Sequence, residues 1–167
     1  MDKIKRFLPI FAVITGVLAI IAYCALPVLE FTLEEFSFEK VEIFKVEYSG
    51  TKAMFGFDFY GETVEGSMWC FIAPFFGAGA VIFSIYAFCK PKQKNFVNSA
   101  AIFFLIACLG CLFTKELFRL GYEMPREVAN TCKLGIGAML AGMLSMLSAI
   151  FIVIDNKSMK KNDEEKN

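Results

Sequence analysis

The chain has 167 residues, of which 57% are hydrophobic and 16% aromatic, while only 20% are charged. Its 17 basic and 17 acidic side chains cancel, which removes the electrostatic basis for a nucleic-acid partner. Histidine is absent, and its absence excludes histidine-based catalytic triads, histidine-ligated metal sites and the usual general base near neutral pH.

In chain order, residues 1–6 carry Lys3, Lys5 and Arg6 and read as a short cytoplasmic N-terminus. Residues 7–28, Phe7 to Val28, follow without a charge, long enough at about 1.5 Å per residue to cross a hydrocarbon core of about 30 Å. The run is too long for the apolar part of a cleaved signal peptide, and Tyr23 is too bulky for a lipoprotein cleavage site at Cys24. It reads as an uncleaved, unlipidated first span.

Residues 29–69 have nine acidic and three basic side chains, a net charge of −6, and are too long for a plain connection. Phe55, Phe57 and Phe59 alternate with Gly56, Asp58 and Tyr60, the period-two pattern of a half-buried strand. Val41 to Tyr48 is a second strand whose apolar phase changes between Ile43 and Phe44, predicting a bulge there. Ser49-Gly50-Thr51-Lys52 then predicts a hairpin turn between the two. Phe31 with Leu33, and Phe36 with Phe38, add one strand or two short ones, while Gly61 and Gly66 bracket a last turn before Trp69. The expected domain is a small antiparallel sheet of three or four strands seated on the helices.

Residues 70–89 form a second uncharged span, and the link 90–95 carries Lys90, Lys92 and Lys94, marking it cytoplasmic. The third span is 96–114, with helical periodicity extending to about residue 120 before Gly121. Residues 115–133 form a second outer loop, in which Pro125 suits the first turn of a further helix. The fourth span is 134–154, and 155–167 is a charged cytoplasmic tail. The predicted fold class is thus a membrane all-α four-helix transmembrane bundle with a small antiparallel β-sheet in the first extracytoplasmic loop. The expected location is a plasma or cytoplasmic membrane, multi-pass, with both termini cytoplasmic.

Within the spans no carboxylate or amine offers a charge relay, and Asn98 is the strongest polar group, best used in an interhelical hydrogen bond. Span four repeats Gly137, Ala141, Ser145 and Ala149 at every fourth position, with Gly142 and Ala138 alongside. Ala12 and Gly16 in span one, and Ala73 and Gly77 in span two, are shorter versions. Small residues at this spacing let helix backbones approach closely, and packing inside one bundle explains all three sets more economically than oligomerisation.

Six cysteines need weighing. Cys108 and Cys111 form a C-x-x-C on one helix face, a weak redox candidate, because apolar burial raises a thiol's pKa and a membrane cysteine ordinarily acts as a small hydrophobe. Cys70 and Cys132, at the outer boundary, are candidates for a structural disulfide. Met139, Met143 and Met146 with the C-x-x-C suggest soft ligands for Cu(I), yet gap-filling is the commoner use of methionine. Asp58, Glu62 and Glu65 lack the spacing of a calcium loop. No metal or cofactor is expected. The aromatic set Phe55, Phe57, Phe59, Tyr60 and Trp69 serves first as the sheet's own core and second as an interaction surface.

Inside termini, a β-rich first outer loop and a projecting third helix resemble the claudin-type tetraspan proteins over most of the chain. Gly66-Ser67-Met68-Trp69-Cys70 faintly resembles that family's Gly-Leu-Trp-Cys element. Neither a second tryptophan nor a cysteine pair in the first loop accompanies it, so no paracellular-barrier role is carried over. The expected function is non-enzymatic: a structural or accessory tetraspan protein whose partners are the lipid bilayer and a membrane or cell-surface protein, or further copies of itself. The alternatives are a membrane thiol-disulfide oxidoreductase using Cys108 and Cys111, or a small channel or carrier subunit.

Overall fold

The computed structural model describes residues 7–36, 41–59, 62–89, 94–121 and 131–164, and within them the side chains of 7–31, 45–56, 65–89, 95–121 and 131–156. In chain order the elements are α1 (Leu8–Ala25), β1 (Pro27–Phe36), β2 (Val41–Ser49), α2 (Gly50–Phe55), β3 (Phe57–Phe59) and β4 (Glu62–Val64). A 3-10 turn (Met68–Phe71) leads into α3 (Ile72–Cys89), and α4 (Lys94–Leu112), α5 (Thr114–Gly121), β5 (Lys133–Leu134) and α6 (Ile136–Glu164) complete the chain.

Helix α1 starts with Pro9 in its first turn, where the missing N–H has no intrahelical partner to lose. It stops at Leu26, whose extended backbone (φ −90°, ψ 160°) suits a residue preceding proline. Pro27 and Val28, the last two residues of the first apolar run, therefore belong to a strand. Four helices are long and apolar enough to cross a membrane: Leu8–Ala25, Met68–Cys89 with its 3-10 turn, Asn95–Leu112 and Ile136–Asn156. The third continues almost unbroken into α5, because Phe113 N–H donates to Leu109 O and Leu117 N–H to Phe113 O, both at 2.9 Å. Leu134 lies in β5, and α6 runs beyond the fourth apolar stretch to Glu164.

These helices close into a ring in which α1 packs on α3 and α6, and α4 packs on the same two neighbours. Ala12, Ala19, Ala80, Ala100, Ala138 and Ala141 fill the inside. Ile14, Leu18, Ile82, Ile85, Met143 and Leu147 stand exposed outside. Many large apolar side chains thus point away from the centre, while Phe104, Ile152 and Val97 are buried in it.

The main sheet has the order β2-β1-β5. Strands β1 and β2 form a hairpin whose register runs from Pro27 opposite Ser49 to Phe36 opposite Val41. Four expectations are corrected here. Val41–Ser49 pairs with the strand before it, not with the phenylalanine run after it, because Ser49 to Lys52 opens helix α2 instead of a hairpin turn. Leu33 opposite Phe44 and Glu34 opposite Ile43 continue the ladder without a bulge, and the irregularity falls at Pro27/Leu29, where the chain leaves the helix. Phe55 is the last residue of α2, and only Phe57–Phe59 is strand, paired with Glu62–Val64 in a separate two-stranded ribbon. The third strand of the main sheet comes from the second loop: β5 pairs Leu134 with Leu29 and Lys133 with Glu30.

Candidate functional site

The joint between bundle and sheet gathers buried polar groups. Tyr23, in the last turn of α1, is almost fully enclosed, and its hydroxyl donates to the Cys70 carbonyl at 3.2 Å. Thr114, at the start of α5, places its hydroxyl 3.4 Å from that of Tyr23, 2.7 Å from Cys111 O and 3.0 Å from Gly110 O. Its single proton serves one of these at a time. Ser67 Oγ donates to Leu117 O at 2.8 Å, fastening the 3-10 turn to α5. Gly50 lies flat against Tyr23, where any Cβ would strike the Tyr23 carbonyl and ring. Above them the Phe31 ring sits between Tyr48 and Phe118, edge-on to both, with centroids at 5.0 and 6.5 Å.

The tie extends to α6. Gly135 N–H donates to Val28 O at 2.8 Å, and a side chain there would meet the Pro27 carbonyl. Nearby Cys132 is buried, and burial pushes its thiol up to about 11 against the opposing pull of Lys115 and Arg119. It stays protonated at neutral pH.

The small-residue positions all turn inward. Gly137, Ala141, Gly142, Ser145 and Ala149 on α6, Ala12 and Gly16 on α1, and Ala73 and Gly77 on α3 are buried within the single chain. At Gly16 a Cβ would fall 2.7 Å from the Phe104 ring and 2.9 Å from Val81, so this glycine makes room for an aromatic ring in the centre of the bundle. Asn156 Nδ2 donates to Asn98 Oδ1 at 2.8 Å, joining α6 to α4.

Cys108 and Cys111 are both buried in the bundle as free thiols. Cys70 and Cys132 are likewise free, so the structure does not contain the disulfide considered between them. The copper idea also fails on geometry: Met139, Met143 and Met146 are exposed on the outer surface, while the two thiols face inward. Among the described residues no group of three or more His, Cys, Asp or Glu is placed to hold a metal ion. Inside the bundle, a cavity lined by Ala19, Tyr23, Gly77, Cys111 and Ser145 has room for about one water molecule.

Of the aromatic set, Phe55 and Trp69 are exposed. The side chains of Phe57 and Phe59, and Tyr60 altogether, lie outside the described residues, as do the side chains of Asp58 and Glu62. Sequence reasoning missed Tyr23, Thr114 and Ser67. The available signal was a tyrosine near the end of an apolar run, whose hydroxyl needs a partner once buried.

Fold and site together define a helical bundle with four helices long and apolar enough to span a membrane, capped at one end by a small antiparallel sheet. Comparison with protein-family models and with characterised proteins gives no match for the chain.

Proposed function

We propose that the chain is a non-enzymatic tetraspan integral membrane protein whose extracytoplasmic β-rich domain binds a second membrane or cell-surface protein, with both chain ends in the cytoplasm. The inverted bundle supports the membrane part: alanines, glycines and serines inside with isoleucine, leucine and methionine outside suit a solvent of hydrocarbon better than water. Lysines before α1 and between α3 and α4 support the orientation.

The observation that carries the binding role is the hairpin. Its ladder runs the length of β1, about 30 Å at about 3.3 Å per residue. Among its described side chains, Val28, Leu29, Phe31 and Tyr48 are buried at its base. Strand β2 has a neighbour on one side alone, among the described residues. Glu30 stands opposite Glu47, and Glu35 opposite Glu42, and like charges directly across a ladder are unfavourable. Lys133 lies across from Glu30 on the other side, and among the described residues no third strand pairs with Glu35. A partner with a basic face relieves that repulsion and covers the open edge.

Affinity purification in mild detergent from native membranes is the test. It should recover a stoichiometric partner or a defined homo-oligomer, and the pair Glu35→Lys with Glu42→Lys should lower that recovery while leaving the chain folded. A lone monomer in every detergent and lipid tried would reject the reading.

A further inference from the structure

We infer that a corner of the outer domain built on Phe55, Met68 and Trp69 is seated in the outer-leaflet interface of the bilayer, so that lipid is its ligand. The inference rests on the membrane reading just proposed and goes beyond it in assigning this surface to lipid instead of to a protein partner. The three side chains are 72%, 83% and 53% exposed. Phe75, in the first turn of α3, is 69% exposed and joins them to the apolar outer surface of the bundle. From Met68 to Phe83 the sequence contains no polar side chain to separate the corner from the span.

The corner is rigid. The Phe55 and Phe71 rings meet edge-on with centroids 5.0 Å apart, which fixes α2 to the 3-10 turn, and Ser67 N–H donates to Ala53 O at 2.9 Å. Its height fits as well. The 18 residues of α3 rise about 27 Å at about 1.5 Å each, and the 3-10 turn adds several more. That brings Met68 and Trp69 to the edge of a hydrocarbon layer about 30 Å thick, the level at which tryptophan is enriched. Lys52 on α2 and Glu65, three residues before the 3-10 turn, are exposed and supply charge for the headgroup side. Water is a poor solvent for three exposed apolar side chains carried on two joined segments, whereas the headgroup boundary accepts them.

Trp69 is the sole tryptophan, so the unmodified chain carries its own probe. The full chain is reconstituted into phosphatidylcholine vesicles, with flotation to verify incorporation. Its emission should be blue-shifted from that of tryptophan in water and resist aqueous iodide. A nitroxide held just below the headgroup should quench it more strongly than one near the acyl-chain end. A variant carrying Trp69→Phe and Phe55→Trp should behave the same way. Water-like emission quenched by iodide would overturn the inference for whichever position reports it. Blue-shifted emission untouched by either lipid nitroxide would also overturn it, because protein would then be the cover. A chain that floats with vesicles yet gives either result leaves the membrane reading standing, whereas a chain that fails to float removes both.

Discussion

The seams inside the bundle and the joint beneath the sheet are built on opposite principles. Between helices the close approaches are made at small residues, Gly16 against Phe104 and Val81, Gly77 against Ile20, and Gly110 against the backbone of Ala73, with aromatic pairs such as Phe83 and Phe103 beside them. At the joint they are large and polar-tipped: Phe31, Tyr48 and Phe118 rings over the hydroxyls of Tyr23 and Thr114. Burial of a big ring stabilises most when the alternative is water. Between helices in lipid that gain vanishes, and closeness of backbones takes its place. Under the membrane reading proposed above, one short chain carries two packing rules, divided at the level where α1 gives way to β1.

The largest expected effect tests that division directly. Phe118→Ala, at the joint, should lower stability by about 4 kcal/mol through lost transfer energy and a cavity. Phe104→Ala, in the bundle centre, should lower it by less, because its share of the transfer term is missing in lipid. Thermal unfolding of both variants in the same bilayer mimetic checks the order, and equal losses would erase the distinction. Next in size, Gly16→Val should cost about 2 kcal/mol by overpacking against Phe104, read in the same melts. Tyr23→Phe should cost about 1 kcal/mol, since the Cys70 carbonyl loses its donor while the ring remains. The smallest effect is a pH dependence at Cys132. An ordinary cysteine ionises near about 8.5 and this one only near about 11. The unfolded chain thus loses its proton first, and stability falls as pH rises through that window. Cys132→Ala should flatten this part of the alkaline decline in a stability-versus-pH titration.

The four long apolar helices were legible in sequence because an uninterrupted apolar run is a one-dimensional signal, read from length alone. Pairing between strands is a two-dimensional property and was not. Ser49-Gly50-Thr51-Lys52 has the composition of a turn, yet Gly50 is there because Tyr23 leaves no space for a side chain, so the same residues begin α2. The short strand Lys133–Leu134 has no pattern of its own and exists because β1 presents it with an unpaired edge. The small-residue positions that spacing alone selects are buried in the structure. Aromatic alternation misled at Phe55, where a helix end and a neighbouring Phe71 ring decide the conformation.

The pairing of Leu29 with Leu134 also sets an order of events during biosynthesis. The hairpin emerges from the ribosome early, but the residues that complete its sheet are translated immediately ahead of the last helix. Closing so long a loop is slow compared with local hairpin formation. The sheet consequently waits, half assembled, until almost the entire polypeptide has been translated, and a chain released before residue 131 never acquires its third strand.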